Sequence, residues 1–202
     1  MNDTTHLLYL HGFRSSPLST KARAVAERVA RDHPAVHWWC PQLPPSPREA
    51  MALVRHGVAG WPGERMAVVG SSLGGFYARW LSLQTGCRAA LLNPAPFPAR
   101  DLAAHIGEQT TWQNPSERFF FEPRFVDELL ALQADIERLA PERPATPDGL
   151  FALLAKGDEL LDWREMQAFA HGGTIRLLDG SDHAISDFDH HIDALLSFLR
   201  LA

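Results

Sequence analysis

Met66-Ala67-Val68-Val69-Gly70-Ser71-Ser72-Leu73-Gly74 is the stretch whose reading decides the fold. Four apolar residues suit a buried strand, and the Gly-x-Ser-x-Gly pattern that follows opens a helical run. Strand, sharp turn and helix in that order form a nucleophile elbow, which lifts one serine hydroxyl to the end of a sheet. The turn crowds the residues two before and two after the serine, so both positions favour glycine. That phase selects Ser72. Ser71 in the same role would be flanked by Val69 and Leu73, both too bulky.

Outward from the elbow, apolar runs alternate with amphipathic ones, the pattern of a parallel sheet covered by helices. Strands are predicted at residues 7–10, 36–40, 66–69, 89–92, 150–154 and 174–178. Helices are predicted near 19–31, 47–58 with Ser46 as N-cap, 74–85, 125–139 and 187–199, with a further one beginning near Trp163. The stretch 95–147 carries several prolines, an aromatic cluster (Trp112, Phe119, Phe120, Phe121) and no convincing strand. A structureless loop of that length is implausible, so a small helical excursion over the C-terminal edge of the sheet is expected. The expected architecture is one α/β-hydrolase domain over residues 1–202, with six mostly parallel strands in the order 2-1-3-4-5-6 and no large cap domain.

Composition limits the function classes. The 202 residues are 46% hydrophobic and 21% charged, with a formal charge of −5, which suits one globular domain with a sizeable core. No basic stripe is visible, so no nucleic-acid partner is expected. Cys40 and Cys87 lack the spacing of a disulfide framework and are read as two buried thiols of a reducing compartment. Met1 to His6 lacks a basic leader, 7–10 is too short for a signal core, and no apolar run approaches a membrane span. A soluble cytoplasmic protein with no membrane partner is expected. Neither zinc spacing nor a phosphate loop is present, so no metal and no cofactor are expected.

In a doubly wound sheet, ligands gather outside the carboxyl ends of the strands. His11, Ser72, Asp158 and His183 each fall just after a predicted strand and should meet on one rim. A serine hydroxyl needs a neighbouring base, and in this fold the chain order is serine, acid, histidine. His183, in Gly180-Ser181-Asp182-His183, is the histidine in a strand-end loop downstream of the elbow. Asp158 follows the strand-ending Gly157 and is the acid expected to fix the imidazole tautomer, with Glu159 and Asp162 as competitors. Asp162 is alternatively an N-cap, and Asp182 a loop or capping residue. The oxyanion donors expected are the backbone N–H groups of Leu73 and Phe13. His11, Gly12, Arg14 and Trp112 are candidate substrate contacts. Each also has an ordinary reading: loop bracing for His11, close backbone approach for Gly12, loop hydrogen bonds for Arg14 and packing for Trp112. Ser15, Ser16 and Lys21 lie near the same mouth, with the alternative role of a solvated helix start.

A family pattern accompanies these residues. Tyr9-Leu10-His11-Gly12-Phe13, Ser15-Ser16-Pro17, Lys21 and Pro41-Gln42-Leu43-Pro44 stand first. Gly70 to Ala78, Leu92-Asn93-Pro94-Ala95, Asn114-Pro115, Gly157-Asp158-Glu159 and Asp182-His183 follow in the same order. The combination resembles the bacterial YqiA-like esterases over nearly the whole chain. The resemblance implies a small α/β-hydrolase acting on carboxylic or thio esters, with a triad at Ser72, Asp158 and His183. Ser116-Glu117 departs from it, where an aromatic residue is expected after the proline. The expected function is a serine esterase taking a small-molecule ester. The alternatives are an acyl-CoA or acyl-carrier thioesterase, marked by cationic groups at the mouth such as Arg14 or Lys21, and a non-catalytic binding protein of the same fold.

Overall fold

Leu7 to Leu10 lie in strand β1 (His6–Leu10) and are buried in both directions: Leu8 and Leu10 enter one core, Leu7 and Tyr9 the other. This two-sided burial is the signature of a sheet sandwiched between helical layers. The computed structural model describes residues 3–202 of the chain, so Met1 and Asn2, part of the leader reading, lie outside the described residues. Five further strands join β1: β2 (His37–Trp39), β3 (Met66–Ser71), β4 (Arg88–Leu92), and, beyond the excursion, β7 (Leu150–Ala155) and β8 (Thr174–Leu178). They run in the order β2-β1-β3-β4-β7-β8, every neighbouring pair parallel. Counted within this sheet alone, that is 2-1-3-4-5-6, the expected order.

The helices divide between the two faces. On one face lie α2 (Pro47–Val58), α3 (Leu73–Thr85), α5 (Pro123–Leu139) and α6 (Trp163–Phe169), packed over Leu8, Val68, Leu91 and Leu154. On the other, α1 (Thr20–Asp32) and α7 (Ile192–Leu199) cover Leu7, Val69, Leu92 and Leu153. Helix α1 shows the helical stride in its buried residues Ala22, Val25 and Val29. Helix α2 begins as its sequence implies: Ser46 accepts from the N–H of Glu49 at 3.2 Å, and Pro47 occupies the first turn. Glu128 on α5 accepts from the Ser46 hydroxyl (2.7 Å) and from the Arg48 N–H (3.1 Å), which ties the start of α2 to α5.

The stretch 95–147 differs from the expected all-helical excursion. Besides the short α4 (Pro98–Leu102) and α5 it contains an antiparallel hairpin, β5 (Gly107–Thr110) and β6 (Arg118–Phe121). Phe13, from the loop after β1, packs edge-on against both Phe119 and Phe121. Arg14 donates through Nε to the Thr110 carbonyl (2.7 Å) and through Nη2 to its hydroxyl (3.0 Å). The hairpin is thus held by tertiary contacts from a loop about a hundred residues away in sequence. The terminal helix also starts later than expected: a 3-10 turn, Phe188–His190, precedes α7. Among the described residues no helix is long and apolar enough to cross a membrane.

Candidate active site

The carboxyl ends of the central strands are level, with Leu10 opposite Gly70, Ser71 opposite Leu92 and Ala155 opposite Leu178. The order in which strands are added reverses between β1 and β3, and Ser72 stands at that crevice as the residue between β3 and α3. Its φ is +56° and its ψ −121°, a conformation that L-residues rarely adopt. The flanking glycines explain how the turn closes. A Cβ on Gly70 would sit 2.0 Å from the Gly74 carbonyl oxygen, and one on Gly74 would sit 1.9 Å from the Leu10 oxygen. The serine's own N–H donates to Leu92 O (3.0 Å), while its carbonyl accepts from Gly75 (2.8 Å) and Ala95 (3.1 Å), so the strained backbone is locked from three sides.

His183 reaches this serine from the loop after β8: its Nε2 lies 3.2 Å from Ser72 Oγ. Its Nδ1 lies 2.7 Å from Asp158 Oδ2, and the Asp158 side chain is fully buried. A carboxylate only accepts, so Nδ1 carries the proton and Nε2 faces the serine with its lone pair. The other carboxylate oxygen accepts from the N–H groups of Leu160 (2.9 Å) and Leu161 (2.8 Å), which fixes the acid's orientation. Gly157 permits the acid and histidine loops to approach, since a Cβ there would meet the Ser181 carbonyl oxygen at 2.6 Å. The competing carboxylates have other partners. Glu159 accepts the His183 backbone N–H (3.0 Å), Asp162 caps α6 through the Arg164 N–H (2.9 Å), and Asp182 accepts from Ser186.

Three of the expected substrate contacts, His11, Gly12 and Arg14, line a cavity and also hold structural partners. Both ring nitrogens of His11 are engaged: Leu43 N–H donates to Nε2 (3.1 Å), so Nδ1 is the protonated nitrogen and donates to Gly12 O (3.0 Å). Burial holds this imidazole below its ordinary pKa, and it braces two loops at the edge of the larger cavity. The Arg14 guanidinium is committed to Thr110 and lies 4.1 Å from the centre of the Trp112 ring, so it anchors the hairpin. Gly12 is backbone packed on Ser72, where a Cβ would stand 3.2 Å from the serine Cβ. Trp112 remains at the site, 64% exposed, in the wall of the cavity that holds Ser72.

Two cavities flank the loop after β1. One of about 230 Å³ is lined by Ser72, His183, Lys21 and Trp112. The other, about 560 Å³, is lined by Leu43, Leu53, Leu73, Tyr77 and Phe119. Gly12, Phe13 and Ser15 belong to the walls of both, so this segment is the partition between them. Leu73 opens α3, where the first N–H groups of a helix lack intrahelical partners and carry its positive end.

Asn93, present in the family pattern but assigned no role from sequence, belongs to the site. It is 1% exposed, at φ +41°, just after β4. Its amide nitrogen donates to the carbonyls of Asp182 (3.0 Å) and His183 (3.2 Å), and its oxygen accepts the Ala155 N–H (2.8 Å). The signal available in sequence was a polar residue directly after the apolar run Ala89 to Leu92 and directly before Pro94. Cys40 and Cys87 are free; Cys87 is buried as expected, Cys40 only half-buried, and desolvation pushes their thiols up to about 12 (Cys40) and about 11 (Cys87). Among the described residues no cluster of three or more His, Cys, Asp or Glu side chains could hold a metal ion.

A family model described as an uncharacterised protein family, UPF0227, matches residues 6–200. Among solved structures, the chain is similar to one from work on LipS and LipT, two metagenome-derived lipolytic enzymes. That match has a TM-score of 0.74 at 19% identity and covers 98% of this chain and 94% of the other. It is also similar to alpha/beta hydrolase domain-containing protein 10 from mouse, with a TM-score of 0.68, 17% identity and coverage of 98% and 92%. The monoacylglycerol lipase of Paleococcus ferrophilus matches with a TM-score of 0.70, 13% identity and coverage of 98% and 96%. These likenesses establish the α/β-hydrolase fold.

Proposed function

The chain belongs to the uncharacterised UPF0227 family, and we propose that within it this protein is a serine esterase that hydrolyses small carboxylic esters through an acyl-enzyme. The observation that carries the reading is the unbroken line from Asp158 Oδ2 through His183 to Ser72 Oγ, at 2.7 and 3.2 Å, ending on the strained elbow serine. The lipolytic and esterase descriptions of the similar structures agree with it.

In this mechanism Ser72 Oγ attacks the ester carbonyl while His183 Nε2 takes its proton, and Asp158 stabilises the imidazolium. The carbonyl π electrons move to oxygen, and that oxyanion is held by the N–H groups of Phe13 and Leu73. The tetrahedral intermediate collapses, the ester C–O bond breaks, and His183 returns the proton to the departing alkoxide. Water, deprotonated by the same imidazole, then attacks the acyl-enzyme and releases the acid with Ser72 restored.

The test is intact-mass labelling with a small fluorophosphonate, alongside hydrolysis of p-nitrophenyl butyrate and butyryl-CoA, for wild type and Ser72→Ala. The expected result is one adduct and ester turnover in wild type, both lost in the variant. Folded wild-type protein that takes no label would sink the reading in favour of a binding protein. A large preference for the thioester would replace the esterase label with that of a thioesterase.

A further inference from the structure

His183 must hand its proton to the leaving alkoxide, so the alcohol half of the ester has to lie on the histidine's side of Ser72. The acyl half stays bonded to Oγ and extends away from it. In this structure the two sides are two different cavities. The smaller one, about 230 Å³, is lined by both Ser72 and His183; the larger, about 560 Å³, lies beyond the Gly12-Phe13 partition and touches neither. Leu73, the residue after Ser72, lines the large cavity, so the leaving alcohol is assigned to the small cavity and the acyl chain, running past Leu73, to the large one.

The walls differ in chemistry. Leu43, Leu53, Leu73, Tyr77 and Phe119 give the larger side an extended apolar wall. Arg14, Gln42, Glu117 and Arg118 also line it. The alcohol side carries the polar side chains of Ser15, Ser19, Thr20, Lys21 and Gln113, beside the ring of Trp112. Lys21 is the unusual member. Its ammonium donates one hydrogen bond, to the Ala184 carbonyl at 2.5 Å, and among the described residues it forms no ion pair. An ammonium has three donors, so two remain for a ligand in the cavity that it lines. Burial pushes it down to about 8, against the pull of Asp182 and Asp158. Those two carboxylates also decide the charge of the ligand, because an anion seated by Lys21 would meet their repulsion, whereas a neutral hydroxyl would not. Serine and threonine hydroxyls and a carboxamide both donate and accept, which matches hydroxyl groups.

Resting on the esterase reading and deepening it, we propose that the small cavity is an alcohol subsite for a compact, neutral, hydroxyl-rich leaving group of glycerol type, and that Lys21 is its specificity-determining residue. The substrate class is then an ester of an apolar acid with a small polyol.

The experiment compares kcat/KM for three octanoate esters that share an acyl chain: ethyl octanoate, 1-monooctanoylglycerol and 1-octanoyl glycerol phosphate. Wild type is expected to favour the glyceryl over the ethyl ester by about tenfold or more, the scale of one hydrogen bond to a charged donor. Lys21→Met is expected to bring that ratio to about one. Gln113→Ala, an exposed position that tolerates truncation, is expected to reduce it by a smaller factor. Because the readout is a ratio within one protein, a general loss of turnover cancels, and fluorophosphonate labelling of each variant reports on the assembled serine separately. Equal rates on the ethyl and glyceryl esters in wild type would overturn the proposal, as would a preference for the phosphate. So would a Lys21→Met variant that slows both neutral esters in proportion, since Lys21 would then only position the Ala184 carbonyl and the histidine loop. A wild type that takes no label would indict the esterase reading itself, a distinct failure.

Discussion

Asn93 supports the sharpest quantitative prediction, because one buried amide joins the ends of β4 and β7 to the loop that carries His183. Asn93→Asp is the informative change: aspartate tolerates the positive φ and keeps an acceptor for the Ala155 N–H. It removes both donors, however, and places a carboxylate oxygen where the amide nitrogen stood, 3.0 and 3.2 Å from two carbonyl oxygens. Each carbonyl left unpaired costs about 1–3 kcal/mol, so the change should destabilise the fold by roughly 2–6 kcal/mol. With a urea m-value of about 2 kcal/mol/M, the unfolding midpoint should fall by about 1–3 M. Activity should suffer too: a histidine loop released by about 1 Å costs about 100-fold in rate. Asn93→Gly separates the two effects, since it relieves the backbone and adds no carboxylate, yet frees the same loop. The assays are urea unfolding followed by tryptophan fluorescence and kcat/KM on a p-nitrophenyl ester. An Asn93→Asp variant within about 1 kcal/mol of wild type, with undiminished kcat/KM, would refute the reasoning.

The remaining predictions concern the elbow, a buried imidazole, the hairpin and the acid. Gly74→Ala should give little soluble folded protein, because its Cβ would stand 1.9 Å from a backbone oxygen that cannot move aside; expression and circular dichroism check this. His11 is held below its ordinary pKa of about 6.5, so the unfolded chain takes up a proton first. Its contribution to stability is therefore full above about pH 6.5 and declines as pH falls below it, and urea midpoints from pH 7.5 to 5.5 should fall less steeply in His11→Gln. Arg14→Ala should loosen the hairpin, raising amide exchange and proteolysis over residues 105–121 while leaving the main sheet protected. Asp158→Asn should stay folded by circular dichroism but lose about 10⁴-fold in kcat and take the fluorophosphonate label far more slowly, as expected when the imidazole tautomer is wrong.

Elements whose residues are buried on both sides were legible: 66–69 and 150–154 announce strands because nothing but tertiary burial would favour such runs. The placement of Ser72, Asp158 and His183 at strand ends was legible for the same reason, since the sheet order follows from alternation. The hairpin was not. Gly107-Glu108-Gln109-Thr110 has no apolar alternation and, apart from Thr110, no strand-favouring residue, and its partner strand places Phe121 inward and Phe120 outward. Its pairing depends on Phe13 and Arg14, which no local window contains. Asn93 was illegible for a related reason. An asparagine ending a strand reads as a turn residue, and only the folded chain reveals which carbonyls surround it. His11 and Arg14 were visible as residues of the mouth, but their partners, Leu43 and Thr110, decide that they brace it.

The partition formed by Gly12 and Phe13 has a consequence for how this scaffold can diversify. Under the proposed chemistry the same few atoms separate the two halves of the substrate and supply an amide to the oxyanion. An inserted residue there would reshape both chambers and disturb the rate in one step, so this segment is closed to gradual change. The outer walls are not bound in that way: Leu53 on α2 and Phe119 on the hairpin border the acyl chamber alone. New acid preferences should therefore accumulate at these two positions and at Glu117 and Arg118, which line the larger chamber and not the smaller one. The division predicts where descendants of such a protein differ: in the hairpin first, and at the partition last.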